Sequence, residues 1–304
     1  MNYGKVLKNA WKTLWEHKVI LWFGSLIMIP SLIMGLVMGG FFFSINEESY
    51  PFFFEPYAPA PEINPFLPIL FFVFIFGFTI ASYAIMTLSF AGVLKGTFDL
   101  EGKEEKISFG ELWHLTLPYL GRIFGVLFLV FFSIFAFLGV IMLLGLFMGI
   151  LTGGLGFLCL SPLFLLILPL EALAYIFVSI AAVAVIAEDL GVFDAIVRAR
   201  EVFKQNFWSW VLMGIILLFI QMGINLIVIF PMQIIQFAFI FSMDFTSVTP
   251  PAPSIFFRYF AVFMVLFIPL TSLAQGLGLS YANAAWMLSY LDITKPSEAE
   301  IAKE

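Results

Sequence analysis

The sequence predicts an all-α fold: an integral membrane helical bundle of six transmembrane helices in three hairpins, each hairpin preceded by a cytoplasmic amphipathic helix lying in the membrane interface. Three observations predict it. Apolar residues make up 62% of the chain and charged residues 11%, with a mean hydropathy of +1.07; a soluble domain has roughly 45–50% and about 25%. A core of this size cannot hide that much apolar surface, so lipid must solvate the remainder. The apolar residues also gather into runs long enough to cross a bilayer, which takes about 20 helical residues. Finally, three of these runs follow short segments in which polar and apolar residues separate at helical spacing.

Between Asn2 and Lys18, Val6, Leu7, Ala10, Trp11, Leu14 and Trp15 recur at helical spacing, while Lys5, Lys8 and Lys12 share another face. Lysines outward and Trp rings at headgroup depth describe an interfacial helix, not a signal peptide. Val19–Phe43 follows as the first span, too long for a signal h-region, with Pro30 as its expected kink. Ser44–Pro65 carries Glu47, Glu48, Glu55 and Glu62 and five prolines, which forbid a regular helix there. Phe66–Leu94 is the second span and Lys95–Ile107 a loop. Ser108-Phe-Gly-Glu111 has the form of a capping box, opening a second surface helix with Leu112, Trp113, Leu117 and Leu120 on one side and Pro118 within it.

From Ile123 to Ala187 the only charge is Glu171. Both flanks are basic, so the number of crossings between them should be even. A turn at Thr152-Gly-Gly-Leu-Gly156 with Pro162 opening the fourth span divides the stretch in two. The third surface segment is Glu188–Trp210. Its Asp194, Arg198, Glu201 and Gln205 share one helical face and Val192, Ile196, Ala199 and Phe203 the other. Phe207–Phe230 is the fifth span, Pro231–Phe245 a broken apolar stretch and Thr246–Ser254 a loop. Phe256–Tyr290 is the sixth span, tilted or broken near Gly276.

Of the 14 basic residues, all but Arg258 fall on one side of this scheme, and the 7 Trp lie on or near that same side. That places the protein in the cell membrane with both termini cytoplasmic. The chain is expected to be a single membrane domain over 1–304, with a polar tail at 291–304. Tyr3-Gly-Lys-Val-Leu7, Phe109-Gly-Glu-Leu-Trp113 and Leu190-Gly-Val-Phe-Asp194 begin alike, roughly 80 to 106 residues apart, the length of one surface helix plus two spans. They define parallel pseudo-repeats at 1–94, 108–187 and 190–290.

The segment from Ala187 to Ile196, with Arg198 and Val202-Phe-Lys-Gln-Asn-Phe-Trp208, resembles a widespread group of prokaryotic multipass proteins. Some of these are the membrane domains of glycerophosphoryl diester phosphodiesterases; others are families of unknown function. Ala10-Trp-Lys-Thr-Leu-Trp15 and Ser108–Trp113 are similar to the same group. The resemblance implies a shared membrane architecture. It carries no phosphodiesterase activity, because no soluble region here is large enough for the catalytic domain and no catalytic residue transfers.

Several functions lack their chemistry in this chain. Cys159 is the single cysteine, which excludes an internal disulfide or a thiolate cluster. His17 and His114 have no metal-binding spacing. Gly276-Leu-Gly278 is half of a nucleotide fingerprint inside an apolar run, and suits helix packing or a helix break better. No basic patch suits nucleic acid. No cofactor, metal or catalytic residue is expected, so the protein should not be an enzyme.

Two groups of candidate residues remain. Glu171, Arg258, Gln221, Asn225, Gln275 and Asn283 are polar within or beside spans. Glu171 lies roughly 24 Å from an inner boundary at Ala187, near the outer edge of the hydrocarbon, and is expected to pair with Arg258. The amides are expected to hydrogen-bond neighbouring helices. Lys5, Lys8, Lys12, Arg198, Arg200 and Lys204 could attract anionic headgroups, at about 1 kcal/mol each. The expected function is that of a non-enzymatic membrane component binding lipid or another membrane protein. The alternative is a transporter or permease for a lipid-like or small amphipathic solute.

Overall fold

The computed structural model describes residues 1–44, 66–101, 103, 106–153, 155–242 and 253–294. Among them every regular element is a helix. In order these are α1 (Tyr3–Glu16), α2 (Lys18–Ser25), α3 (Met28–Ser44), α4 (Phe66–Leu100), α5 (Phe109–Leu151), α6 (Leu155–Ala187), α7 (Val192–Gln205), α8 (Phe207–Ser242) and α9 (Pro253–Thr294). The described residues include 6 stretches long and apolar enough to cross a membrane, the first made of α2 and α3 together. That is the make-up of a multipass membrane protein. The acidic, Pro-rich stretch before α4, positions 246–252 of the expected outer loop and the tail beyond Thr294 lie outside the described residues.

Local chemistry sets several helix boundaries. Asn2 caps α1, its side chain accepting from the Lys5 N–H at 3.1 Å. Ser108 caps α5 in the same way through the Glu111 N–H. Pro30 has no N–H to give the Leu26 carbonyl; that carbonyl accepts instead from Ile29, three residues on. The chain turns at Leu26–Ile27, and the first span is two helices with the break just ahead of the proline. Asp189, at φ 51, separates α6 from α7, and Asn206 separates α7 from α8.

Elsewhere the helices run through expected breaks. The segment from Phe109 is not a separate surface helix: α5 continues unbroken through Pro118 to Leu151. Nothing at Gly121 or Arg122 stops it, since Gly121 does not take the left-handed conformation of a helix cap. Lys95 lies within α4, which runs to Leu100. The helix of the fourth span, α6, begins at Leu155, ahead of Pro162. α8 passes through Pro231 to Ser242, and α9 passes through Gly276.

The chain falls into two compact units. The first comprises 1–20, 90–219 and 281–304, the second 21–89 and 220–280. In the first, α5, α6 and α7 pack on one another. Its core draws on Ala10 and Leu14 of α1, Leu112 and Ile123 of α5, Ile180–Ile186 of α6, Ala195, Ala199 and Val202 of α7, and Trp210, Trp286 and Tyr290. α1 rests on the last turns of α9: Tyr281 donates to the Leu7 carbonyl at 3.2 Å, Trp11 meets the Tyr281 ring edge-on, and the Asn2 N–H reaches Asp292 at 3.3 Å.

In the second unit, small residues let helices approach closely. A Cβ added at Gly276 would stand 2.7 Å from the Gly24 carbonyl oxygen, and one at Gly278 would collide with Gln221. The Gly276-Leu-Gly278 sequence is therefore a packing surface, with α2 on one side and α8 on the other. Gly35 and Gly39 of α3 do the same against α9, where added Cβ atoms would press on Met264 and Val265. The faces left over are large and apolar, as at Phe72 of α4 and Ile227 of α8.

Candidate functional site

The chemistry of the first unit gathers where α6 ends and α7 begins. Glu188 follows the last turn of α6. Its carboxylate accepts from Arg198 Nε at 3.0 Å to each oxygen and from the Tyr290 hydroxyl at 2.6 Å. Tyr290 is fully buried, so one end of α9 is tied to the α6–α7 junction. The Glu188 carboxylate also holds the Arg198 guanidinium above its already high ordinary range. Beside it, Asp189 accepts from Arg122 Nη1 at 2.7 Å through its side chain and at 3.3 Å through its carbonyl. That contact joins α5 to the junction, at the residue whose backbone is left-handed. Four charges at the junction are thus spent on one another. Arg198 in particular is not free to meet a headgroup.

With Arg198 so engaged, α7 has three faces rather than two. Ala195, Ala199 and Val202 are buried. Asp194, Arg198 and Glu201 form the polar face, with Arg198 Nη1 3.6 Å from Glu201. The third face carries Phe193, 73% exposed, and Val197, 57% exposed. At 100° per residue Lys204 falls between them and Arg200 just beyond Phe193 on the same face, and both are exposed. Sequence reading placed Arg200 and Lys204 among the candidates but passed over Phe193 and Val197. Their signal was available: two large apolar residues four apart, out of phase with the buried stripe.

α1 divides in the same manner. Val6, Ala10, Thr13 and Leu14 are buried, Trp11 and Trp15 are exposed and meet edge-on at 5.5 Å, and Lys5, Lys8 and Lys12 are exposed. Lys12 stands 3.6 Å from Glu16. Lys95 contributes nothing to the surface. Its ammonium is 2.9 Å from Asp99 and lies over the Phe98 and Tyr119 rings.

The polar residues of the spans separate in character. Glu171 is exposed on α6 and belongs to the first unit. Arg258 is exposed in the second, its guanidinium 6.0 Å from the centre of the Phe43 ring. Gln221 and Asn225 are half-buried on one face of α8, and Gln275 is exposed. Asn283 is different: it is 0% exposed, and among the described residues neither its Oδ1 nor its Nδ2 has a hydrogen-bond partner. The interhelical hydrogen bond expected of this amide is not found among the described residues. The indole N–H of Trp210 is equally buried and unpartnered; its ring lies 5.8 Å from that of Trp286, one helical turn from Asn283. Of Trp11, Trp15, Trp22, Trp113, Trp208, Trp210 and Trp286, the pair Trp210 and Trp286 is core, and Trp11, Trp15, Trp22 and Trp208 present their rings outward.

Among the described residues no three His, Cys, Asp or Glu side chains stand together as a metal site. No protein-family model matches the chain, and neither does any curated protein or solved structure.

Proposed function

We propose that this chain is a non-enzymatic component of the cell membrane that binds anionic lipid at its cytoplasmic face through α1 and α7. The observation that carries this reading is the third face of α7. Exposed Phe193 and Val197 share this face with exposed Arg200 and Lys204, a pairing that suits a surface apolar below and anionic at the headgroups. Trp11 and Trp15 beside Lys8 and Lys12 give α1 the same character. In this reading six spans form three hairpins with both termini cytoplasmic, as the distribution of basic residues supports. The repeats at 1–94, 108–187 and 190–290 each begin at an inner entrance, and α1 and α7 are interfacial helices while the middle entrance is fused to its span. A non-enzymatic role is supported by the Glu188, Arg198 and Tyr290 cluster, whose carboxylate is fully engaged by its neighbours. The resemblance of the Ala187–Trp208 segment to a membrane-domain group supports the same architectural role.

The test is lipid retention. In nanodiscs of mixed phosphatidylglycerol and phosphatidylcholine, native mass spectrometry should find phosphatidylglycerol enriched on the protein. Each surface cation contributes about 1 kcal/mol, so Arg200→Gln with Lys204→Gln should lower the enrichment roughly tenfold or more. Equal retention of both lipids, or an unchanged ratio in the double variant, contradicts the reading.

The alternative, a permease for a lipid-like or small amphipathic solute, draws on Asn283. A buried amide without a partner is costly unless something else engages it. If a solute does, Asn283→Leu abolishes its passage while leaving lipid retention intact.

A further inference from the structure

A cavity of about 550 Å³ lies in the first unit between the C-terminal half of α1 and the segment that follows α4. Its volume falls within the range of small-ligand sites, on the order of 300–1,000 Å³, but its lining is polar. Lys12, His17, Lys103 and Lys106 face it, with the Asn9 amide as a further donor. Two carboxylates, Glu16 and Glu101, also line it, and Glu16 meets Lys12 at 3.6 Å. Lys103 and Lys106 have no ion-pair partner among the described residues. His17 is the second, independent sign. It closes α1, its backbone N–H bonding the Thr13 carbonyl at 2.9 Å. The residue is 7% exposed, yet its imidazole has no hydrogen-bond partner among the described residues. The residue lines the same cavity as Lys12, Lys103 and Lys106, so its imidazole can donate to an anion held there.

We propose that this cavity binds a phosphate group, with His17 donating from its floor and Lys12, Lys103 and Lys106 neutralising the charge. A tetrahedral anion offers several strong acceptors to donors that converge from different directions, which a single carboxylate does not. The placement suits a headgroup, because Lys18 opens the first membrane-spanning stretch directly after His17. A free phosphate or phosphoester would present the same chemistry. The proposal shares Lys12 with the lipid-binding surface described above but not its other residues, so the two fail separately.

The test uses the full chain labelled with ¹⁵N-histidine. The sequence has 2 His, so His114 serves as the internal reference. Inorganic phosphate is titrated into detergent-solubilised protein, and phosphatidylglycerol nanodiscs are compared with phosphatidylcholine ones. The proposal expects the His17 imidazole signals to move saturably while those of His114 stay. Movement with phosphate identifies a soluble ligand, and movement with phosphatidylglycerol alone identifies a lipid headgroup. Lys103→Gln with Lys106→Gln, both exposed and tolerant of change, should weaken the response by about tenfold. Arg200→Gln should not. A His17 signal unmoved by both ligands overturns the proposal, as does a response undiminished in the Lys103 and Lys106 variant.

Discussion

Tyr290 shows what individual polar side chains contribute here. Its hydroxyl is buried, and Glu188 is its acceptor. A neutral donor to a charged acceptor contributes about 1.5–3 kcal/mol, more than a neutral pair. Tyr290→Phe should therefore lower the unfolding midpoint in detergent without changing lipid retention. Arg198→Gln leaves Glu188 one partner short, and Glu188→Gln leaves Arg198 likewise. A double-mutant cycle of the two should show positive coupling of about 0.5–1.5 kcal/mol, modest because both side chains are partly solvated. Additive costs would mean that Glu188 and Arg198 do not act together. Little of this was legible beforehand. The periodicity of α7 told which residues share a face, but not that Glu188 and Tyr290, 102 positions apart, would claim Arg198. The same holds for Asn283 and His17, whose isolation is a property of the neighbours that tertiary packing gives them.

At the scale of the element, one rule separates the expectations that matched from those that failed. Apolar runs of spanning length became helices at the expected places, because in lipid an unsatisfied backbone group is expensive and a helix satisfies its own. The same cost explains the failures. Pro118 and Pro231 each remove one hydrogen bond, but ending the helix there would leave several more groups unmatched, so α5 and α8 continue. Pro30 does coincide with a break, because it stands in the first turn of α3, where a helix tolerates it best. At Gly276, where the sequence left helix packing or a break open, the helix continues and packing holds: the missing side chain serves the approach of α2. Gly276→Ala places a methyl against the Gly24 backbone and should destabilise by about 1–3 kcal/mol. Gly223→Ala, where a Cβ meets nothing within 4 Å, should be neutral or slightly stabilising. Thermal unfolding in one detergent compares them; equal midpoints would show that the α2–α9 contact is not tight.

For the whole molecule, composition and charge placement carry the account. Hydropathy marks the spans, and the proposed direction rests on the basic residues, since cytoplasmic ends collect Lys and Arg. The proposed lipid-binding surfaces require that direction: α1 and α7 must lie on one side, with the Thr152–Gly153 turn on the other. Cysteine accessibility measures this directly. In a Cys159→Ser background, single cysteines at Lys8, Gln205 and Gly153 are treated in intact cells with a membrane-impermeant maleimide. The account predicts labelling at Gly153 and, until the cells are opened, none at Lys8 or Gln205. Labelling of Lys8 or Gln205 from outside, or protection of Gly153, would contradict it.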